Sequence, residues 1–478
     1  MRTIPELKEG THRAKATGTL PNGKPVIVNA DGTVSVVAGT AQAVGSATVF
    51  EAAATNYTSA IFDSNSNKVV IAYEDDANSD YGTAIVGTVS GTNISFGSAV
   101  VFEPSSVMLI SATFDSNLNK VVIAYRDNGN SSYGTAIVGT VSGTSISFGT
   151  AAVFESASTN YISSTFDSNS NKVVIAYTDQ GNSSYGTAIV GTVSGTSISF
   201  GTAVVFESAN CYWIASTFDS SSNKVVIAYR DANNSHYGTA IVGTVSGTNI
   251  SFGTAVVYNA AISNYTAATF DSNSNKVVIV YSSTAETTVG TAIVGTVSGT
   301  SISFGSSVVF QNVNPSYISA IFDSSFNQVI LSYRDNTVGN GTIVVGTVSG
   351  TTISFGTPLV FNAASTFYTA ATFDSNSNKT VVSYSDGGNS YYGTGIVFQN
   401  GSTNLTSENY IGISQGGTYA DGSSATVDII GTLNEDQSGL TAGQSYYVQT
   451  DGTIGETAAD PSVFAGTAIS ATSLVVKT

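Results

Sequence analysis

The chain has 478 residues, 48 of them glycine, with 41% apolar and only 10% charged residues and a formal net charge of -17. The apolar share is ample for a packed interior and argues against bulk disorder; the acidic balance argues against nucleic-acid binding, because no basic stripe along the body of the chain could displace phosphate counterions. Cys211 is the only cysteine, which excludes an intrachain disulfide.

Five basic residues, Arg2, Lys8, Arg13, Lys15 and Lys24, crowd the first 24 positions. They read as solvated charges, with docking on an acidic partner surface as the alternative. PELKEG, at 5–10, is the one stretch with a helical look. MRTIPELKEG lacks an apolar signal-peptide core, and no apolar run approaches membrane-spanning length. The expectation is a soluble protein that is not inserted in a membrane and reaches any extracellular site without a standard signal peptide. LPNGKPVIVNADGTV (20–34) then reads as strand, Asp-Gly turn, strand, a strong short-range hairpin signal.

From residue 39 the chain becomes repetitive. The Phe of an FDS triplet falls at 62, 114, 166, 218, 270, 322 and 373, a spacing of 52 five times and then 51. Within the first copy, YTSAIFD (57–63) alternates and ends at an SNSN turn, KVVIAYED (68–75) follows, and a variable loop DANSD leads to YGTAIVGTVS (81–90). A tight SGT turn gives NISFGSAVVFE (93–103) as the closing strand. Four short strands per ~50 residues, with Gly- and Asn-rich turns, is the pattern of a β-propeller blade. The seventh copy ends after YYGTGIVFQNG (391–401) without a closing strand, whereas GTAQAVGSATVFE (39–51) matches GTNISFGSAVVFE (91–103) in register. The expected fold is therefore all-β: a seven-bladed propeller over 39–401, closed by its N-terminal strand. LTAGQSYYVQTDGTI (440–454) shares Leu, Gly, Val and Asp-Gly-Thr with 20–34 at identical spacing. Residues 1–38 and 402–478 are accordingly expected to form the two halves of one small terminal β-domain, with the propeller inserted between them.

The copies differ mainly in two connections, from second to third strand and from fourth strand to the next blade. In four-stranded blades both fall on one face, where a scaffold carries its binding surface. Met108, Tyr161, Tyr212, Trp213, Tyr265, Tyr317, Phe367 and Tyr368 cluster there by position. They suit the apolar faces of sugar rings or a protein partner; filling gaps between blades is the competing reading. Histidine occurs only at 12 and 236, which argues against a Ser-His-Asp or His-based zinc site. The repeated Asp-x-Asn-x-Asn of FDSNSN (Asp63, Asn65, Asn67) lacks the turn Gly and distal Glu of a calcium loop and reads as an Asx-type turn. Arg126, Arg230 and Arg334 recur in alternate copies, each followed by Asp (127, 231, 335); neutralisation by that neighbour is expected over a shared carboxylate clamp. No catalytic residue, metal or cofactor is assigned.

FDSNSNKVVIAY with YGTAIVGTVSGTSISFG resembles repeat arrays in proteins encoded by marine tailed bacteriophages. The C-terminal run from ENYIGISQGG to LVVK is similar to terminal β-modules of phage virion appendages, as is GKPVIVNADGTVSVV near the start. The resemblance implies a non-enzymatic structural virion protein, of tail-fibre or capsid-decoration type. Such a protein assembles in the host cytoplasm and is exposed on the particle, with other capsid or tail proteins as partners. The expected function is host-surface adhesion through a glycan; a decoration or connector protein without receptor role, and a polysaccharide depolymerase, are the alternatives. A homo-oligomer is compatible with either. No catalytic residue carries over.

Overall fold

The computed structural model describes residues 10–284, 288–459 and 461–477. It divides into two compact units, residues 44–399 and residues 1–43 with 400–478. Residues 5–9, where helix was expected, lie outside the described residues.

In the larger unit the first copy runs through strands Thr48–Asp63, Lys68–Asp75, Tyr81–Ser90 and Asn93–Phe96, and the later copies repeat this pattern. The fold is all-β and of propeller type. The second strand explains why KVVIAY is a continuous apolar run. Val69, Val70, Ile71, Ala72 and Tyr73 are each fully buried, so the strand is covered on both faces and has no side to leave polar. One face of it (Val70, Ala72) packs on Val121, Ile123 and Tyr125 of the second copy. The other (Val69, Ile71, Tyr73) packs on Val381 and Val397 of the seventh. Each aliphatic side chain so buried stabilises the fold by roughly 1.5–3 kcal/mol relative to exposure.

Two details correct the expected strand plan. NISFGSAVVFE is not one strand: Asn93–Phe96 stops at Gly97, and Val100 begins a new 16-residue strand, Val100–Asp115, that runs on through EPSSVML into the next copy. The connection read as a variable loop is thus mostly strand. It stays in the ladder because it carries bulges, with register shifts between Val101 and Glu103 and between Glu103 and Ser106. Pro104 sits in that shift, where its missing N–H costs no ladder bond. In the sixth and seventh copies the same path does divide, into Val308–Gln311 with Pro315–Asp323 and Leu359–Asn362 with Thr366–Asp374.

The last copy finds its missing partner at the start of the unit. Tyr392–Gln399 pairs antiparallel with Thr48–Asp63 (Gly393 with Glu51, Thr394 with Val49), as Tyr81–Ser90 pairs with Val100–Asp115 (Gly82 with Glu103, Thr83 with Val101). Glycine opens the third strand of each copy for a packing reason: a Cβ at Gly82 would lie 2.5 Å from the Phe102 ring.

In the smaller unit a five-stranded sheet interleaves both chain ends, in the order Thr11–Lys15, Ser424–Asp428, Tyr410–Gln415, Pro25–Val28, Val34–Val36. A second sheet contains Ser445–Val448, Phe464–Ala468 and Leu474–Val476, and the two share a core that includes Ile27, Tyr410, Ile413, Tyr446, Val448 and Leu474. The two sequence-matched hairpins have the same turn. Asp31 Oδ1 accepts from Thr33 N and Oγ1 at 3.0 and 2.6 Å, and Asp451 Oδ1 from Thr453 N and Oγ1 at 2.9 and 2.6 Å. Gly32 and Gly452 take φ of 79° and 80°, a left-handed geometry glycine adopts at little cost.

Candidate functional site

Each first strand bends at the same place. The ladder skips between Asn56 and Ser59 in the first copy and at the equivalent step in the others, and the first of the two residues inside the skip has positive φ. These residues are Tyr57, Leu109, Tyr161, Trp213, Tyr265, Tyr317 and Tyr368, with φ between 47° and 55°. A bulky side chain in this region costs roughly 1–2 kcal/mol. Glycine would remove that cost, yet the position holds tyrosine five times, tryptophan once and leucine once. The side chains, not the bend, are what the position provides.

The seven side chains converge on one cavity of about 410 Å³, with Met108, Arg126 and Asn160 completing its wall. The rings touch in sequence. Tyr161 and Trp213 have centroids 5.3 Å apart, Trp213 and Tyr265 4.2 Å, Tyr265 and Tyr317 5.7 Å, Tyr317 and Tyr368 4.9 Å, and Tyr368 and Tyr57 5.0 Å. Leu109 packs towards the third copy, near Phe154 and Ile162. The array is fixed from behind by bonds between neighbouring copies. Ser59, Ser111, Ser163 and Ser319 hydroxyls accept from the backbone N–H of Ala112, Ser164, Ser216 and Ala371 at 2.9–3.0 Å. Thr58 and Thr369 donate to the carbonyls of Tyr368 and Tyr317. Burial raises the phenols of Tyr57, Tyr161 and Tyr265, and those of Tyr317 and Tyr368 are pushed up to about 12, so all five are neutral hydrogen-bonding groups at ordinary pH.

Outside the ring stand residues of the second strands. Arg126 donates through Nε to Asn128 Oδ1 (2.8 Å), through Nη1 to Asn160 Oδ1 (2.9 Å) and through Nη2 to the Met108 sulfur (3.5 Å). Arg230 donates to Asn264 and lies 4.3 Å from the centroid of the Tyr212 ring, while Arg334 lies 4.2 Å from that of Phe367. The Nε atoms of Arg230 and Arg334 are buried without a hydrogen-bond partner among the described residues. The expected pairing of each arginine with the following aspartate is not what forms. Neighbours along a strand point to opposite faces, and the aspartates cap turns instead. Asp127 accepts from Asn130 N (3.1 Å) and Ser105 Oγ (2.8 Å), Asp231 from Asn233 N (3.0 Å), and Asp335 from Thr337 N (2.8 Å). The position that carries these arginines holds Glu74 in the first copy. It is buried, and desolvation, with Asp80 and Asp76 nearby, raises its carboxyl to about 8.

Six of the eight candidates read from sequence, Met108, Tyr161, Trp213, Tyr265, Tyr317 and Tyr368, line this cavity. Tyr212 and Phe367 lie one residue earlier, stacked under Arg230 and Arg334, and their rings touch the ring residues Tyr161 (5.6 Å) and Tyr317 (6.0 Å) without lining the cavity themselves. Tyr57, Leu109, Arg126 and Asn160 were missed as lining residues. Tyr57 and Leu109 were findable: they sit 52 residues from the next member of the series, Leu109 beside the more conspicuous Met108. His236 lies against Tyr212, with centroids 6.2 Å apart, and Cys211 is buried, with its thiol raised far above its ordinary value by burial. Asp63 Oδ1 accepts from Asn65 N (2.9 Å) and Ser66 N (3.0 Å), and the equivalent aspartates repeat this, so these carboxylates are engaged in the turns.

No family model matches the chain, and no curated protein matches it. Solved structures do. The BP39L lectin from Burkholderia pseudomallei is similar with a TM-score of 0.55 at 11% identity, covering 74% of this chain and 99% of the lectin. The Cps50 (Swd1) β-propeller domain of Myceliophteria thermophila gives 0.49 at 9% identity over 74% of this chain and 99% of that domain. A Trypanosoma rangeli sialidase gives 0.42 at 12% over 82% of this chain and 59% of the enzyme. At 11% identity the likeness to the lectin is one of fold alone.

Proposed function

We propose that the larger unit is a seven-bladed propeller whose aromatic cavity binds carbohydrate, without catalysis. The observation that carries this is the series of six aromatic residues and one leucine held in strained left-handed backbone around a single cavity. Strain that recurs in every copy at a position where glycine would relieve it points to a selected side chain. Aromatic faces against the C–H faces of sugars, with Asn160, Arg126 and neutral phenols as orienting groups, is the composition such ligands require. A volume of about 410 Å³ falls within the roughly 300–1,000 Å³ of small-molecule sites. The fold is one that a lectin also uses. Among the described residues that line the cavity none is Asp or Glu, which speaks against a two-carboxylate hydrolysis there. Ring closure rests on the pairing of Tyr392–Gln399 with Thr48–Asp63.

The setting we propose is the surface of a phage particle, with the smaller unit as the attachment and many copies compensating for weak single sites. It rests on the resemblance of the repeats. The competing reading, a decoration protein whose aromatics only pack, draws on the ring contacts themselves. Calorimetric titration of the full chain with neutral and acidic oligosaccharides tests binding: Trp213→Ala is expected to weaken it at least tenfold. Binding unchanged in Trp213→Ala overturns the cavity as the site. Immunogold labelling of particles tests the setting, and unlabelled particles overturn it.

A further inference from the structure

The groups behind the ring deepen the carbohydrate reading of the cavity and rest on it. We infer that the ligand is an acidic saccharide, bearing a carboxylate or sulfate, whose anionic group seats at the Arg126–Asn160 edge of the cavity.

The distribution of charge points to an anion. The chain is strongly acidic, with a net charge of -17, yet among the described residues the charged one in the cavity wall is a guanidinium, Arg126. Arg230 stands close enough for its charge to act on Tyr161, and Arg334 on Tyr265 and Tyr317. The aspartates that succeed these arginines are turned to the opposite face and bound in turns. Three cations are thus collected around one opening while their acidic neighbours are directed elsewhere. A neutral sugar has no use for that field; an anion entering a partly desolvated cavity does.

Arg126 is also equipped for direct contact. Its three hydrogen bonds fix the guanidinium plane against Asn128, Asn160 and Met108 and leave two of its five N–H groups for a ligand oxyanion. Arg230 and Arg334, stacked on Tyr212 and Phe367, supply field from behind the ring.

The one carboxyl at the equivalent position fits this arrangement. Glu74 lies near Tyr57 and Tyr368, and its pKa of about 8 keeps it protonated at neutral pH. Burial is the main cause of that raised pKa; the groups facing it are Asp80 and Asp76, which add to it, the Asn56 amide, which bonds the ionised form, and the two neutral phenols. Arg126 acts on the same Tyr57 from the second copy. As pH rises through 8 a negative charge appears beside the cavity, and affinity for an anion falls.

The test is titration of the full chain with three tetrasaccharides: a uronic-acid oligomer, a sulfated neutral-sugar oligomer and the unsubstituted neutral oligomer. One or both acidic ligands are expected to bind at least tenfold more tightly than the neutral one, and which does so identifies carboxylate or sulfate. Raising salt from about 50 to about 500 mM narrows the difference. Arg126→Gln abolishes the preference while Arg126→Lys retains part of it, with thermal unfolding confirming that both fold. In the unmodified chain the preference declines between about pH 7 and 9, which needs no variant. Equal affinity for all three, unaffected by Arg126→Gln but lost in Trp213→Ala, overturns the acidic ligand and leaves the carbohydrate site standing. Binding of none of them overturns both.

Discussion

Two sets of aromatic residues recur through the copies, and they are held in opposite ways. The tyrosine near the end of each second strand, Tyr73 in the first copy, is fully buried. In the first four copies its hydroxyl donates to a glutamate, at 3.1 Å to Glu51 and 2.9 Å to Glu103 for Tyr73 and Tyr125, and at 3.0 and 2.9 Å for Tyr177 with Glu155 and Tyr229 with Glu207. It sits in extended backbone and touches Phe50 or its counterpart, at 5.2 Å in the first copy. The ring residues, Tyr57 and its equivalents, are half-buried, stand in left-handed backbone and open on a cavity. The same kind of side chain does structural work where backbone and burial agree, and is available for binding where the backbone is strained to expose it.

The largest effect separates the two sets. Tyr125→Ala removes a fully buried ring between copies together with its 2.9 Å hydrogen bond to Glu103; it should destabilise the unit by about 3–5 kcal/mol. Denaturant unfolding measures this, and a loss below ~1 kcal/mol would break the contrast, since a cavity that closes so cheaply is not close-packed.

The next effect concerns Glu74. Its pKa in the folded chain lies above the ordinary glutamate value, so the folded state binds more protons than the unfolded one. The penalty is absent below about pH 4.5, grows as pH rises, and is complete above about pH 8, reaching up to a few kcal/mol. Glu74→Gln should therefore leave stability at about pH 5 nearly unchanged and raise it at about pH 9. An equal shift at both pH values would show that the carboxyl is not held protonated.

How much of this could be read from residues alone divides along the same line. The all-β, repeated-sheet character was legible because KVVIAY, the SNSN turn and the Gly-rich turn state their geometry locally. The long strands were not. VFEPSSVMLISATFD looks like a loop entering a strand, because Pro104 and the serines speak against pairing; the ladder absorbs them by bulging, which depends on the partner strand Tyr81–Ser90. The ring was half legible. Tyr161, Trp213 and Tyr265 stood out by residue type, but the left-handed backbone that unites them with Leu109 comes from the register skip and has no local signal in a Tyr-Thr or Leu-Ile pair. Arg126 was set against Asp127 because the two adjoin in sequence, when strand alternation directs them apart.

The smallest expected effect is the sharpest on strain. Tyr265→Ala should lose the ring contacts with Trp213 at 4.2 Å and Tyr317 at 5.7 Å while keeping a Cβ at φ 49°. Tyr265→Gly loses the same contacts, each about 0.5–1.5 kcal/mol, but also sheds the left-handed penalty of roughly 1–2 kcal/mol. Glycine's greater freedom in the unfolded chain takes back about 0.5–1 kcal/mol. The glycine variant should then unfold at the same denaturant concentration as the alanine variant or slightly higher, the reverse of the order expected within a regular strand, where glycine is the worse residue. Alanine clearly the more stable of the two would mean that the bend carries no strain, and the case for a selected ring would lose its physical basis. Because both variants remove the same aromatic face, their affinities for a saccharide should fall together whatever their stabilities do. That separation of stability from binding is what distinguishes the ring from the buried tyrosines behind it.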